Sequence, residues 1–338
     1  MWTLKEDIML LTKQIAKWAS KQGPKLLCGL IPVFFLILAV SPVSFAGVDA
    51  MPHLRLGAGA RSIGLGGAFT AIADDATATV WNPAGLGSAA DLSFNISTQQ
   101  LDLDRSHNFL ALTKALGSAG SIGLAVTNAG VSGIEQYDAQ ERYGGMFDYS
   151  TNAYSLSYGI GFGSFGIGLT GRMLMDSFGA DDSQSGFGGV DVGLMGHALH
   201  IDMGEEQVPT FHYGIVAKYL GAALGDDTVP MVVNVGLAYD LYMGNVVTFA
   251  ADIEQEFVNL DQSATSLKLG AEYTILTYKS TGLAIRGGVR ASRDVQNLFG
   301  GFGVNIGGLQ IDYAIQDGMA SELNGVGSTH FASLSYSF

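Results

Sequence analysis

The sequence predicts an all-β fold, a transmembrane antiparallel β-barrel of about 14 strands. Three observations lead there. The chain opens with an export-type leader, and its body alternates apolar and polar residues in segments of about ten residues. Beyond residue 46, no apolar run approaches the ~20 residues that a membrane helix needs.

In the leader, Lys13, Lys17, Lys21 and Lys25 supply a positive n-region. Leu26–Val40 is apolar apart from Cys28, Gly29 and Pro32, then Ser41-Pro42 breaks it, and Ser44-Phe45-Ala46 places small residues at the −3 and −1 positions. Cleavage is expected after Ala46, and Met9 is a second candidate start. The apolar run is about 15 residues, too short for an uncleaved anchor. Cys28 does not make a lipoprotein signal, because bulky Leu27 precedes it and the apolar run follows it. The expected organisation is therefore a signal peptide over 1–46, an N-terminal plug over 47–90 and a barrel over 91–338.

Removing the leader takes five lysines and two acids, so the net charge moves from −14 to −17 and the single cysteine is lost. Such an acidic chain is a poor partner for nucleic acid. Without cysteine there is no disulfide framework. Glycine, at 47 of 338 residues, is roughly twice its usual ~7% and shows no collagen period. A membrane chain without a membrane helix satisfies its backbone by closing a sheet.

The alternation is clearest at Met231–Tyr242, where Met231, Val233, Val235, Leu237, Tyr239 and Leu241 share a face. Val247, Phe249, Ala251 and Ile253 repeat it, followed by Leu267, Leu269, Ala271 and Tyr273, then by Leu283, Ile285 and Val289. The opposite faces carry Asp240, Asp252, Glu254, Lys268, Glu272, Arg286, Arg290 and Asp312, both signs interleaved on successive strands. Cross-strand ion pairs in a polar lumen account for that pattern.

Strands are expected at 91–100, 106–115, 120–128, 151–162, 165–176, 187–202, 209–220, 231–242, 246–256, 265–276, 282–292, 298–306, 309–316 and 329–338. Gly163-Ser164, Met243-Gly244-Asn245 and Gly307-Gly308 read as tight hairpin turns. Val131–Ser150, Ser177–Gly186, Gly221–Pro230 and Asp317–Ser328 read as longer connections, so short periplasmic turns alternate with long extracellular loops. In the final segment Ala332, Leu334, Tyr336 and Phe338 face one way with serines between them. Leu334, Tyr336 and Phe338 resemble the C-terminal signal read by the outer-membrane barrel-insertion machinery.

Residues 47–90 do not alternate. Glycine and alanine dominate 56–69, which also carries Arg61, followed by Ala73-Asp74-Asp75-Ala76 and Trp81-Asn82-Pro83-Ala84. Small residues permit close backbone packing inside a lumen. Asp74 or Asp75 is expected to cap a short helix over 76–80, which Pro83 ends by forcing Asn82 out of helical geometry. Arg286 and Arg290 are the expected lumen partners of the two aspartates. The Ala-Asp-Asp-Ala run and the Asn-Pro-Ala triplet resemble the N-terminal hatch of the FadL-like outer-membrane transporters. The glycine-rich lead with Arg61 and the Trp-Asn-Pro-Ala form are similar to the PorV/PorQ branch of that superfamily. The resemblance is specific over 57–87 and architectural elsewhere, and it implies a fourteen-stranded barrel with a plug in its lumen.

Other chemistry is weaker. The glycines at 57–59 and 64–67 lack the strand–loop–helix setting of a nucleotide loop. His197 and His212 fall on neighbouring strands, with Asp191 as a conceivable third ligand, but His200 has the opposite parity to His197 and no metal site is expected. No Gly-x-Ser-x-Gly elbow occurs. Asp102-Leu103-Asp104 lacks the glycine and distal glutamate of a calcium loop. The pairs Asp181-Asp182, Glu205-Glu206 and Asp226-Asp227 read as solvated loop charges, and His330 as an interface residue.

No cofactor and no enzymatic activity are expected. The leading reading is a FadL-like channel for small hydrophobic compounds. The alternative is a PorV-like barrel partner in type IX protein secretion, whose client would meet Tyr137, Tyr143, Phe147 and Tyr149. A barrel-borne hydrolase is the third. The expected partners are outer-membrane lipid, the insertion machinery and either a hydrophobic ligand or a secreted protein.

Overall fold

The computed structural model describes residues 51–101, 105–179, 182–202, 207–225, 227–257, 263–276, 281–292, 296–318 and 328–338. The expected leader and cleavage site lie outside them. Fourteen antiparallel strands close into one barrel. They are β1 (Leu92–Gln100), β2 (Arg105–Ala115), β3 (Ser121–Tyr137), β4 (Tyr143–Gly161), β5 (Phe165–Phe178), β6 (Asp182–Asp202), β7 (Gln207–Leu220), β8 (Met231–Tyr242), β9 (Val246–Phe257), β10 (Ser263–Leu276), β11 (Thr281–Ser292), β12 (Gln296–Ile306), β13 (Leu309–Gly318) and β14 (Thr329–Ser337). Each pairs with its neighbours in sequence, and β14 returns to β1 with Leu334 opposite Ile96 and Ser337 opposite Ser93. The Phe338 amide donates to Leu92 O at 2.9 Å and completes the seam.

The two faces follow the alternation. Ile96, Leu110, Leu124, Leu156, Leu169, Leu237, Phe249, Ile253, Leu269, Ile285, Phe302 and Ile311 all point outward and are exposed. Their inward neighbours Asn95, Thr113, Asn234, Asp252, Lys268, Glu272, Arg286 and Asp312 are buried. An apolar exterior around a polar interior is the arrangement of a barrel solvated by hydrocarbon. At the C-terminus Tyr336 stacks on Phe94 and meets Phe338 edge-on, with ring centres 6.3 and 4.4 Å apart.

Three connections differ from expectation. Val131–Ser150 is mostly strand: β3 continues to Tyr137 and β4 starts at Tyr143, past a bulge between Val131 and Ile134. Similarly β6 starts at Asp182, within the span read as a loop. Above the membrane both faces of a hairpin are wet, so pairing continues while the apolar alternation that marks it disappears. Gly221–Pro230 holds a two-residue ribbon, Ala223–Leu224 with Asp227–Thr228, and buries Ala222, Leu224 and Val229 instead of standing in solvent.

Residues 51–90 fill the interior. Leu65, Ala68, Phe69, Ala73, Ala78 and Leu86 are fully buried there. Wall glycines make room for them. A β-carbon on Gly270 would lie 2.6 Å from Leu65 O, one on Gly159 2.6 Å from Pro83 O, and one on Gly161 2.7 Å from Gly87 O. Gly168, Gly193, Gly214 and Gly288 likewise face plug atoms with no space for a side chain. Much of the glycine excess is thus a lining against which another backbone packs directly.

An epitope inserted after Gln140, at the tip of the β3–β4 hairpin, should be antibody-accessible on intact cells. Epitopes after Ser164 and Asn245 should be accessible only after the outer membrane is permeabilised. Equal labelling at all three positions would overturn the orientation.

Candidate functional site: the plug and its seam with the wall

Local chemistry shapes the plug first. Gly59, at φ 85°, turns the chain into a one-turn helix, α1 (Ala60–Gly64), a conformation that glycine adopts without a side-chain clash. The Ser62 hydroxyl donates back to Ala58 O at 2.6 Å. A second one-turn helix, α2, spans Ala78–Trp81, two residues beyond the expected start. Asp75 does not cap it through the free helical amides; it accepts from the Thr77 amide at 2.8 Å and from the Thr77 hydroxyl at 2.5 Å. Burial, then the neighbouring Asp74 charge, pushes the Asp75 carboxyl above its ordinary range. Pro83 throws Asn82 into extended geometry, φ −159° and ψ 106°.

Asn82 is fully buried. Its amide nitrogen donates to Thr70 O at 2.9 Å and to Leu194 O of β6 at 3.2 Å, while its oxygen accepts from the Ala84 amide. The Trp81 indole donates to Ala58 O at 2.8 Å. Asn82 and Trp81 therefore tie separate plug segments to each other, and Asn82 also ties them to the wall. Pro83 and Ala84 lie against β5, whose Gly168 receives them.

The wall answers with polar anchors. Asp252 of β9 accepts from the Phe69 and Thr70 amides at 3.1 and 2.9 Å, charge-assisted bonds worth about 1.5–3 kcal/mol each. Gly59 and Ala60 amides donate to Ser97 and Ser333. Arg61 reaches Glu272 of β10 with two 3.3 Å contacts and holds Asp74 at 2.6 Å. Glu272 is shared with Arg286 of β11, whose other nitrogen reaches Asp312 of β13 at 2.7 Å. The expected pairing of the aspartates with Arg286 and Arg290 is thus corrected. Asp74 pairs within the plug, because Arg61 reaches it over a short local span, while Arg286 is saturated by two wall carboxylates. Burial works against the Arg61 charge, but Asp74, Glu272 and Asp75 outweigh it and raise its pKa.

A second cluster surrounds Trp81. Lys218 and Lys268 each place an ammonium 5.8 Å from its ring, and Lys268 pairs with Glu254 at 2.6 Å. Arg290 lies over Phe299 at 5.6 Å and donates to Gly66 O. Arg172 makes a buried pair with Asp191 at 2.6 Å, and Asp191 also accepts from the Tyr219 amide. Sequence reasoning missed Arg172, Lys218 and Ser97. Their inward parity was legible, but nothing marked the heights at which the plug would meet them.

Other singled-out residues stand apart from this seam. Asp240 is at the short-turn rim, accepting from Thr248 at 2.6 Å and facing His212 at 3.0 Å. His212 stands opposite His197 across β6 and β7. His200 does not keep the opposite face expected of it: left-handed Leu199, φ 56°, lets the His197 and His200 rings approach to 5.4 Å. Among the described residues no three histidine, cysteine or carboxylate side chains gather as a metal site. Leu334, Tyr336 and Phe338 lie on the outer wall, and His330 there is engaged by the Tyr313 hydroxyl. The Asp102 and Glu205 motifs fall outside the described residues.

Two cavities open beneath the plug. One, of about 550 Å³, is lined by Arg61, Glu272, Thr274, Arg286, Asn305 and Gln310. The other, of about 350 Å³, is lined by Arg61, Asp74, Ile72, His197, His212 and Asp240. Arg61 borders both, so the side chain that latches the plug also separates the two spaces.

These features define a class: a membrane β-barrel whose lumen is occupied by its own N-terminal segment. Neither a protein-family model nor a curated protein sequence matches the chain. Solved structures do share the fold. The Ralstonia pickettii toluene transporter TbuX superposes with a TM-score of 0.58 at 15% identity, over 83% of this chain and 97% of that one. The Pseudomonas putida toluene transporter TodX gives 0.56 at 12% identity, over 83% and 99%. A Pseudomonas aeruginosa FadL homologue gives 0.51 at 9% identity, over 87% and 100%.

The glycine seam makes a sharp prediction. Gly168→Ala drives a β-carbon into the backbone of Pro83 and Ala84, whereas Gly171→Ala on the same strand meets nothing within 4 Å. In planar bilayers Gly168→Ala should raise conductance at least severalfold and Gly171→Ala should match wild type. Equal behaviour of the two variants would sever the seam from closure.

Proposed function

We propose that the protein is an outer-membrane channel for small hydrophobic compounds, closed at rest by residues 57–87. One observation carries the reading: a compact segment with a buried apolar centre fills the barrel cross-section, yet a small set of polar groups holds it. Its latches are Arg61, Asp74, Trp81 and Asn82 on the plug and Asp252 and Glu272 on the wall. The structures sharing this fold include two described as toluene transporters, which supports a hydrophobic cargo. The mixed-charge network of the wall keeps the interior polar, so a continuous water path is blocked by the plug and not by the barrel itself.

Plug movement needs only local rearrangement, because the strands keep their full hydrogen-bond network throughout. Removing one partner of the Arg61–Glu272–Arg286–Asp312 chain leaves a buried charge unpaired, at a cost of about 3–5 kcal/mol. That is enough to shift the plug without opening the barrel.

A secretion role has one observation in its favour. The β3–β4 hairpin projects past its neighbours and exposes Tyr137, Tyr143 and Met146, a surface suited to a protein client. The channel reading takes precedence because it uses the whole interior.

Deleting residues 57–87 should turn a nearly silent barrel into an open pore in planar bilayers. Asn82→Ala should give intermediate, flickering conductance. Cells that express the wild type, in a background without such a channel, should take up radiolabelled toluene faster than the empty-vector strain. Identical conductance of wild type and deletion would remove the plug assignment, and unchanged uptake would remove the cargo class.

A further inference from the structure

Gln99, His107, Ala129 and Thr151 stand side by side on β1 to β4, all pointing into the lumen near the end that carries the long connections. The turn Pro52–Arg55 lies over this row. The Thr151 hydroxyl donates to Met51 Sδ at 2.6 Å, and the His53 ring sits 6.1 Å from the His107 ring at an interplanar angle of 53°. Both imidazoles are buried, His107 to 1% exposure.

Their polar atoms are not used by the protein. His53 Nε2, both ring nitrogens of His107 and Gln99 Oε1 have no hydrogen-bonding partner among the described residues. Gln99 is held by its other end, with Nε2 donating to Gly57 O at 2.9 Å. Buried polar groups in native proteins are ordinarily satisfied, and four unsatisfied atoms in one cluster mark a place where an ion or a water can bind. Among the described residues no carboxylate hydrogen-bonds either ring.

The ring separation accommodates one shared ion. A direct N–H···N bond would bring the ring centres to roughly 5 Å, closer than observed. One ion at about 2.0–2.1 Å from a nitrogen of each ring spans centres roughly 5–6.5 Å apart, which includes the observed distance. Two imidazoles with an amide oxygen suit zinc or copper and not magnesium or calcium, which take oxygen ligands.

We propose that His53 and His107, with the Gln99 amide oxygen beside them, bind a single transition-metal ion of the zinc or copper class. The ion ties the chain entering the plug to the wall of β2. This site lies on the opposite side of the plug from the Arg61 cavities and does not depend on the channel reading.

The test uses the full mature barrel in detergent, without a histidine tag, titrated calorimetrically with ZnCl2 and CuCl2. One ion per barrel should bind with a dissociation constant on the order of micromolar or tighter, and MgCl2 and CaCl2 should give no heat. His53→Gln and His107→Gln should each weaken binding roughly tenfold or more. His197→Gln, in the separate histidine cluster at the short-turn rim, should leave it unchanged. Heat-modifiable migration on gels checks that each variant is a closed barrel, and His53→Gln carries the test from outside the strands should His107→Gln fail to assemble. Absence of zinc and copper binding, binding indifferent to His53→Gln, or binding lost with His197→Gln would each overturn the proposal.

Discussion

Hydrocarbon offers no hydrogen bonds, so every amide and carbonyl of a spanning chain must find its partner within the protein. All else in this molecule depends on that constraint. It closes β14 onto β1 and sends the large aliphatic side chains outward. It also creates an interior that the strands alone do not fill. Fourteen strands enclose more space than their inward side chains occupy, and the N-terminal segment takes up the remainder. The wall meets that segment through glycines, which let plug backbone approach strand backbone directly.

The interior charges follow from the same closure. A lumen shielded from bulk water makes an unpaired charge expensive, and the strand order places Glu272, Arg286 and Asp312 within reach of one another on three strands. Arg61 joins that chain from the plug, which ties the plug to the electrostatic ladder of the wall. Asp252 uses its charge differently, on two backbone amides of the plug turn at Phe69 and Thr70. The plug is therefore held by groups that belong to the wall's own structure, and its release need not disturb a strand.

The two sides of the plug differ in chemistry. On the short-turn side Arg61, Asp74, His212 and Asp240 line polar cavities. On the other side Trp81 lies between two lysines, and the entering chain buries Met51 and Leu54 against Leu174, Tyr219, Leu224 and Val232.

The sequence by itself determined the barrel, its strand number, the face presented by residues of the regular strands and the existence of a compact N-terminal element. Those properties are local: a period of two, a turn residue or a proline acts over a few positions, and each can be read where it stands. Strand ends beyond the membrane were not legible, because β3 and β4 continue by backbone pairing after the hydrophobic alternation has stopped. Nor were the partners of Arg61, Asp252 and Asn82, the glycines that face the plug, or the meeting of His53 with His107. Each of these depends on the height at which the N-terminal segment sits inside the closed sheet. Only the tertiary structure decided that height, because it is set by packing summed over many strands and by no single stretch of chain.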